Sequence, residues 1–204
     1  MRTFIKTLVA AAALASASAA GATTFIGSTQ GCFGAGCTPT STATLGGLTF
    51  TGGTFNQADS NGFLAIGGTT DNLGILALDG TALSYTGQLF TLLVTFTAPP
   101  GTTPGSGSYS ALLTGSVTSN NVGGVFFDFN NNPLTFNYTG GTFTLVVNDV
   151  SVAAGSANQE ISGQIRNTPL AIPEPATWGL MLLGFAGIGV AMRRRRRLAL
   201  AQIA

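Results

Sequence analysis

Between residues 23 and 172 the side chains with chemistry to offer are six carboxylates and two cysteines: Asp59, Asp71, Asp79, Asp128, Asp149 and Glu160, with Cys32 and Cys37. The chain has no histidine, so neither a Ser-His-Asp nor a Cys-His set can be assembled for nucleophilic catalysis. Two carboxylates facing each other could cleave a glycoside, but no spacing singles out a pair, and most of the six stand among turn residues. The expectation is a protein without catalytic residues. Asp128-Phe129-Asn130-Asn131-Asn132 places oxygen ligands at positions 1, 3 and 5, as a calcium loop does. Pro133 then occupies the place of the turn glycine, and Thr139 the place of the bidentate glutamate. A plain Asn-rich hairpin turn fits the stretch better. Asp59-Ser60-Asn61-Gly62 and Asp71-Asn72 also read as turns. Cys32 and Cys37 bound Cys-Phe-Gly-Ala-Gly-Cys. Outside the cytoplasm a disulfide closing this small loop is expected. A zinc site would need further ligands, and a redox motif a closer spacing. No metal and no cofactor is expected.

The tail carries a different kind of information. Ala176 to Met192 holds no charged residue, and its 17 positions would span about 25 Å as a helix. That is the lower edge of the roughly 17–25 residues that a bilayer crossing needs. Arg193, Arg194, Arg195, Arg196 and Arg197 follow directly. Their charge keeps this end in the cytoplasm, and their long stems extend the reach to the headgroups. A nucleic-acid patch or nuclear signal is the competing reading; it loses because the run abuts the apolar segment. Pro173 and Pro175 hold Ile172 and Glu174 in extended geometry. Pro175 suits a first helical turn, Glu174 sits beside the positive helix end, and Trp178 is placed to anchor at the interface. Gly184, Gly187 and Ala191 form either a small-residue ridge for a partner helix or the ordinary glycine content of membrane helices; both readings stand.

Pro-Glu-Pro, a nearby Trp, a short Leu- and Gly-rich helix and a terminal Arg run, in that order, resemble the sorting signal of PEP-CTERM proteins, a module also called the ice-binding protein C-terminal domain. The resemblance covers residues 172–197 and rests on Pro173, Glu174, Pro175, Trp178 and the five arginines. Ile172 stands where Val is common, and residues 198–204 run on past the usual basic end. The resemblance implies recognition by exosortase, a membrane-embedded, cysteine-protease-like enzyme of Gram-negative bacteria. It implies a transient stay in the inner membrane, removal of the tail, and delivery to the cell surface or exterior, often beside exopolysaccharide. A non-enzymatic surface or matrix protein is therefore expected. The alternative is a carbohydrate-binding, lectin-like module.

The start of the chain agrees with export. Arg2 and Lys6 precede an apolar stretch from Leu8 to Ala15 and then small residues, which is the pattern of a secretory signal peptide. Ala20-Gly21-Ala22 is the preferred cleavage motif, with Ala17-Ser18-Ala19 as the alternative. The expected organisation is a signal peptide over 1–22, an exported β-rich domain over 23–166, a linker over 167–172, the sorting signal over 173–197 with its helix over 176–192, and a cytoplasmic tail over 198–204. Residues 23–172 contain one base, Arg166, against six acids, a net of −5; the whole-chain value of +1 hides this split. Such a segment suits translocation and excludes nucleic-acid binding, which needs clustered bases.

The exported part shows no long 3.6-residue periodicity. Short alternating runs bounded by Gly, Pro and Asn predict strands over 90–97, 125–129, 134–138 and 143–147. Weaker candidates are 45–51, 63–66, 75–78, 110–117 and 161–165. Gly140-Gly141 reads as a two-residue hairpin loop, and 98–107 as a flexible Pro/Gly/Thr loop. Thr-Phe-Thr at 49–51, 95–97 and 142–144 puts two threonines on one strand face. These read as the polar side of half-buried strands rather than an ordered ice-facing array, for which a fixed repeat is missing. Eight or so short strands predict an all-β fold: an antiparallel β-sandwich, jelly-roll-like or immunoglobulin-like, with one C-terminal transmembrane helix.

Overall fold

Alternation decides the architecture. In the computed structural model, which describes residues 22–170, 179–189 and 193, Phe90, Leu92, Val94 and Phe96 are buried while the residues between them face outward. The β unit, Ala22–Leu170, consists of β1 (Thr24–Phe33), β2 (Thr42–Leu45), β3 (Leu48–Thr51), β4 (Thr54–Ala58), β5 (Phe63–Ile66), β6 (Ile75–Leu78), β7 (Leu83–Ser84), β8 (Leu89–Ala98), β9 (Ser106–Val117), β10 (Gly123–Phe129), β11 (Leu134–Tyr138), β12 (Gly141–Val147), β13 (Val150–Ala153), β14 (Gln159–Glu160) and β15 (Gly163–Pro169). Three antiparallel sheets result. The largest runs β13-β10-β9-β8-β1-β4, with β7 also pairing with β9; the other two run β11-β12-β15-β5 and β14-β6-β3-β2.

One face of the large sheet meets both smaller sheets through aromatic side chains. Phe25 of β1 and Phe96 of β8 each lie 4.9 Å from the Phe143 ring of β12. Phe136 of β11 stacks on Phe143 at 5.0 Å. Towards the other small sheet, Phe50 of β3 sits 5.1 Å from Phe90 of β8. Edge-to-face and offset contacts at these distances add about 0.5–1.5 kcal/mol per pair beyond the area they bury. All three Thr-Phe-Thr runs work alike: Phe50, Phe96 and Phe143 point into the core and their threonines face away from it.

Two tyrosines in this core have opposite circumstances. The Tyr109 hydroxyl donates to the Leu145 carbonyl at 2.8 Å, joining β9 to β12. The Tyr85 hydroxyl is fully buried and has no hydrogen-bond partner; the Gly47 backbone lies near it without bonding geometry. Burial pushes both phenols up from their ordinary range. Tyr109→Phe should therefore destabilise the protein by about 1–2 kcal/mol. Tyr85→Phe should be neutral or stabilising by up to about 1 kcal/mol, because it removes a desolvated hydroxyl. Urea unfolding midpoints of the two variants check the contrast, and equal shifts would refute it.

Four local expectations are corrected. The run 45–51 is not one strand but a hairpin, β2 to β3, turning at Gly46-Gly47. Gly46 has φ 57°, a conformation glycine adopts freely, and a Cβ on Gly47 would stand 1.7 Å from Asp79 Oδ1, so a side chain there would displace the Asp79 carboxylate. The β11–β12 turn is Thr139-Gly140, because Gly141 already pairs with Tyr138. The loop over 98–107 ends early, with β9 beginning at Ser106. Finally, the linker does not begin at 167: β15 continues through Pro169, with Asn167, Thr168 and Pro169 opposite Phe143, Thr142 and Gly141 of β12. With fifteen strands among the described residues, the unit is more finely divided than eight runs suggested.

Candidate functional site

The tail unit is described over a helix at 179–189 and at Arg193, and all of these residues are exposed. Eleven residues of helix make about 16 Å. Among the described residues no helix is long and apolar enough to cross a membrane. The rest of the expected span, 176–178 and 190–192, lies outside the described residues, as do Pro173, Glu174, Pro175, Trp178 and Arg194 to Arg197. So does the signal peptide through Gly21, including Ala20; Ala22 is described and exposed. Gly184 and Gly187 lie on the helix with open space around each Cα.

Within the β unit Asp71, Asp79 and Asp149 each accept a backbone amide at a separate place. Asp71 Oδ1 accepts the Asn56 amide at 2.8 Å and Asp71 Oδ2 the Thr70 hydroxyl at 3.1 Å. Asp79 Oδ1 accepts the Thr81 amide at 2.8 Å. Asp149 Oδ1 accepts the Phe129 amide at 2.9 Å and its Oδ2 the Asn131 side-chain amide at 3.2 Å. Asp149 thus fastens the end of β10 and Asn131 from 20 and 18 residues away in sequence, a partner the local pattern could not reveal. Asn131 sits at φ 49°, a left-handed conformation that asparagine tolerates. The stretch that resembled a calcium loop is therefore a connection between two sheets, from β10 to β11, held by Asp149, and not the hairpin turn expected from the sequence. Among the described residues no three His, Cys, Asp or Glu side chains gather where they could hold a metal. The one base of the unit, Arg166, lies 5.7 Å over the Phe63 ring, in the cross-strand pair that joins β15 to β5.

The Asn56 amide holds the Asp71 carboxyl below its ordinary value, and the Thr81 amide does the same for Asp79. A carboxyl depressed on folding contributes stability above its unfolded pKa, about 3.9, and that contribution fades as pH falls through the lower folded value. Stability should therefore hold from neutrality to about pH 5 and decline below about pH 4. In the Asp71→Asn, Asp79→Asn double variant the acid limb should be shallower. Thermal melts from pH 7 to pH 2 measure it, and parallel acid limbs would count against these two groups.

Cys32 and Cys37 are joined in a disulfide. It closes the loop at the end of β1, which a chain-entropy estimate values at about 2 kcal/mol. Two further features lie on the surface. Ser28, Thr95 and Ser106 line up across β1, β8 and β9, as do Gln30, Leu93 and Ser108, so the outward face of the large sheet is uncharged here, with hydroxyls and an amide beside Leu93. At the β4 edge of that sheet, Ile26, Ser28, Thr54, Asn56, Asp71 and Thr97 line a shallow depression.

Residues 171–197 match the family model of the PEP-CTERM protein-sorting motif. The chain carries that motif, the mark of an exported protein sorted by exosortase. The match begins one residue before the Ile172 read from the sequence and ends at the same arginine. No curated protein and no solved structure matches the chain.

Proposed function

We propose that the chain is a non-enzymatic surface or extracellular-matrix protein. A signal peptide over 1–22 carries it out of the cytoplasm, and residues 176–192 hold it transiently in the inner membrane. Arg193–Arg197 and 198–204 face inward. Exosortase then removes the tail, and the β unit is retained with exopolysaccharide. The observation that carries this reading is the sorting motif at 171–197, following directly on a separate β unit that ends at Leu170. The β unit is read as an antiparallel sandwich, jelly-roll-like or immunoglobulin-like, whose second layer is divided between two four-stranded sheets; the ring contacts made by Phe90 and Phe96 from one face of β8, one to each small sheet, support this. The engagement of Asp71, Asp79 and Asp149 as acceptors of backbone amides supports a structural rather than a catalytic use of these groups. Mass spectrometry of the cell-surface fraction tests the proposal. The expected mature form lacks Trp178–Arg197, and a surface form that still carries them would overturn it.

A second reading, a lectin-like module, is favoured by the hydroxyl- and amide-lined depression at the β4 edge. Ile26 offers apolar contact there, and Asn56 and Asp71 offer groups that could bond sugar hydroxyls. Saturable binding of the released protein on a glycan array, lost on Thr54→Val with Asn56→Leu, would promote this reading over the first.

A further inference from the structure

The least ordinary polar cluster of the β unit lies where β1 begins. Asp59 is only 7% exposed, and its Oδ1 accepts the Thr23 backbone N–H at 2.5 Å. The Asp59 amide donates back to the Thr23 carbonyl at 2.9 Å. Asp59 Oδ2 accepts the Asn167 side-chain amide at 2.9 Å, and the same nitrogen reaches Thr23 Oγ1 at 3.0 Å. Asn167 Oδ1 in turn accepts the Tyr138 hydroxyl at 3.0 Å. Every donor to this buried carboxylate is neutral, and Arg166 is occupied over Phe63. A buried carboxylate with neutral donors alone is costly compared with one that faces a cation. The backbone nitrogen already against Asp59 is that of Thr23, the residue immediately after Ala20-Gly21-Ala22.

We propose that removal of the signal peptide supplies the missing cation. Hydrolysis of the Ala22–Thr23 amide by water breaks the C–N bond. Hydroxide is left on the Ala22 carbonyl carbon as a carboxylate, and the Thr23 nitrogen takes up protons to become an ammonium. That ammonium lies against Asp59 Oδ1 with the remaining bonds of the cluster undisturbed. Asp59, with Asn167 and Tyr138 behind it, is thus a receptor for the new N-terminus, and maturation itself locks β1 to β15. The inference rests on the export reading and adds the scissile bond and the group that receives its product.

The protein offers a clean test, because Lys6 is its only lysine. A mature chain beginning at Thr23 has one primary amine, its own α-amine. The processed protein is recovered from exporting cells, its N-terminus is read by intact mass, and the native protein is treated with an N-hydroxysuccinimide acetate. Acylation needs the neutral amine, and a pairing that raises the amine pKa by one unit slows it about ten-fold. The expected result is a start at Thr23 and acylation at least about ten-fold slower than in Asp59→Asn. A second variant with one serine inserted between Ala22 and Thr23 keeps the fold question separate. It leaves Asp59 and the Thr23 amide bond in place while moving the amine one residue away, so it should acylate at the rate of the denatured protein. A start at Ala20, after Ala17-Ser18-Ala19, overturns the inference and leaves export standing. A start at Thr23 with acylation as fast as in the insertion variant also overturns the pairing and leaves export standing. A surface form retaining residues 1–22 overturns both.

Discussion

Phe143→Ala is expected to lower the unfolding free energy by about 3–5 kcal/mol, the range for removing a large buried ring. The ring is 1% exposed and lies between four aromatic neighbours: Phe25, Phe96, Phe136 and Tyr138. These come from β1, β8 and β11, so the cavity left by alanine would open between the large sheet and the β11-β12-β15-β5 sheet. Backbones held in two hydrogen-bonded sheets cannot close such a gap by a local shift, which places the change toward the upper part of the range. For a unit of this size the melting temperature should fall on the order of 10 °C. Urea unfolding of Phe143→Ala beside the exposed neighbour change Thr142→Ala separates packing from strand propensity. Thr142→Ala should stay within about 0.5 kcal/mol. A Phe143→Ala loss below about 1 kcal/mol would show that the interface between these sheets is not where stability resides.

The second large effect concerns the tail. Replacing Arg193 to Arg197 by glutamine removes five of the eight positive charges of the chain and leaves the apolar segment unaltered. The positive charge beside a short hydrophobic span sets its orientation and stops its passage. Each arginine left at the centre of a bilayer would cost roughly 2.5–3.5 kcal/mol, and glutamine, being uncharged, gives no such orienting signal. The variant should slip through or insert without a fixed orientation. The processed form at the cell surface should then fall by at least about ten-fold, equivalent to roughly 1.4 kcal/mol of lost discrimination. Quantitative immunoblotting of membrane, surface and medium fractions measures this, and unchanged processing would assign recognition to Pro173-Glu174-Pro175 alone.

Where large apolar residues alternate with polar ones, the strand could be read directly: 134–138, Leu-Thr-Phe-Asn-Tyr, is β11 residue for residue. β1 was not legible, although it is one of the longest strands, because its inward positions are Phe25, Gly27, Thr29 and Gly31 while Ile26 faces out. The glycines are there for space. A Cβ on Gly27 would stand 2.3 Å from the Phe55 ring, and one on Gly31 2.7 Å from Phe50. The volume that should have marked β1 as a core strand is supplied by its neighbours. Gly107 repeats the device under Phe136, at 2.8 Å, and for that reason the start of β9 looked like loop. The sorting signal was legible for the opposite reason: its logic is local in sequence, from the prolines to the arginines. The Asp59 cluster was not, because Thr23, Asp59, Tyr138 and Asn167 are brought together only by the fold.

The bond from Asn167 to Thr23 also means that the chain enters and leaves the β unit at a single corner. A module with adjoining ends can be spliced into an exposed loop of an unrelated host through short connectors, without prying the host's loop apart. It also means that a pull applied at both ends strains a few side-chain contacts at that corner before it reaches the ladders of the three sheets.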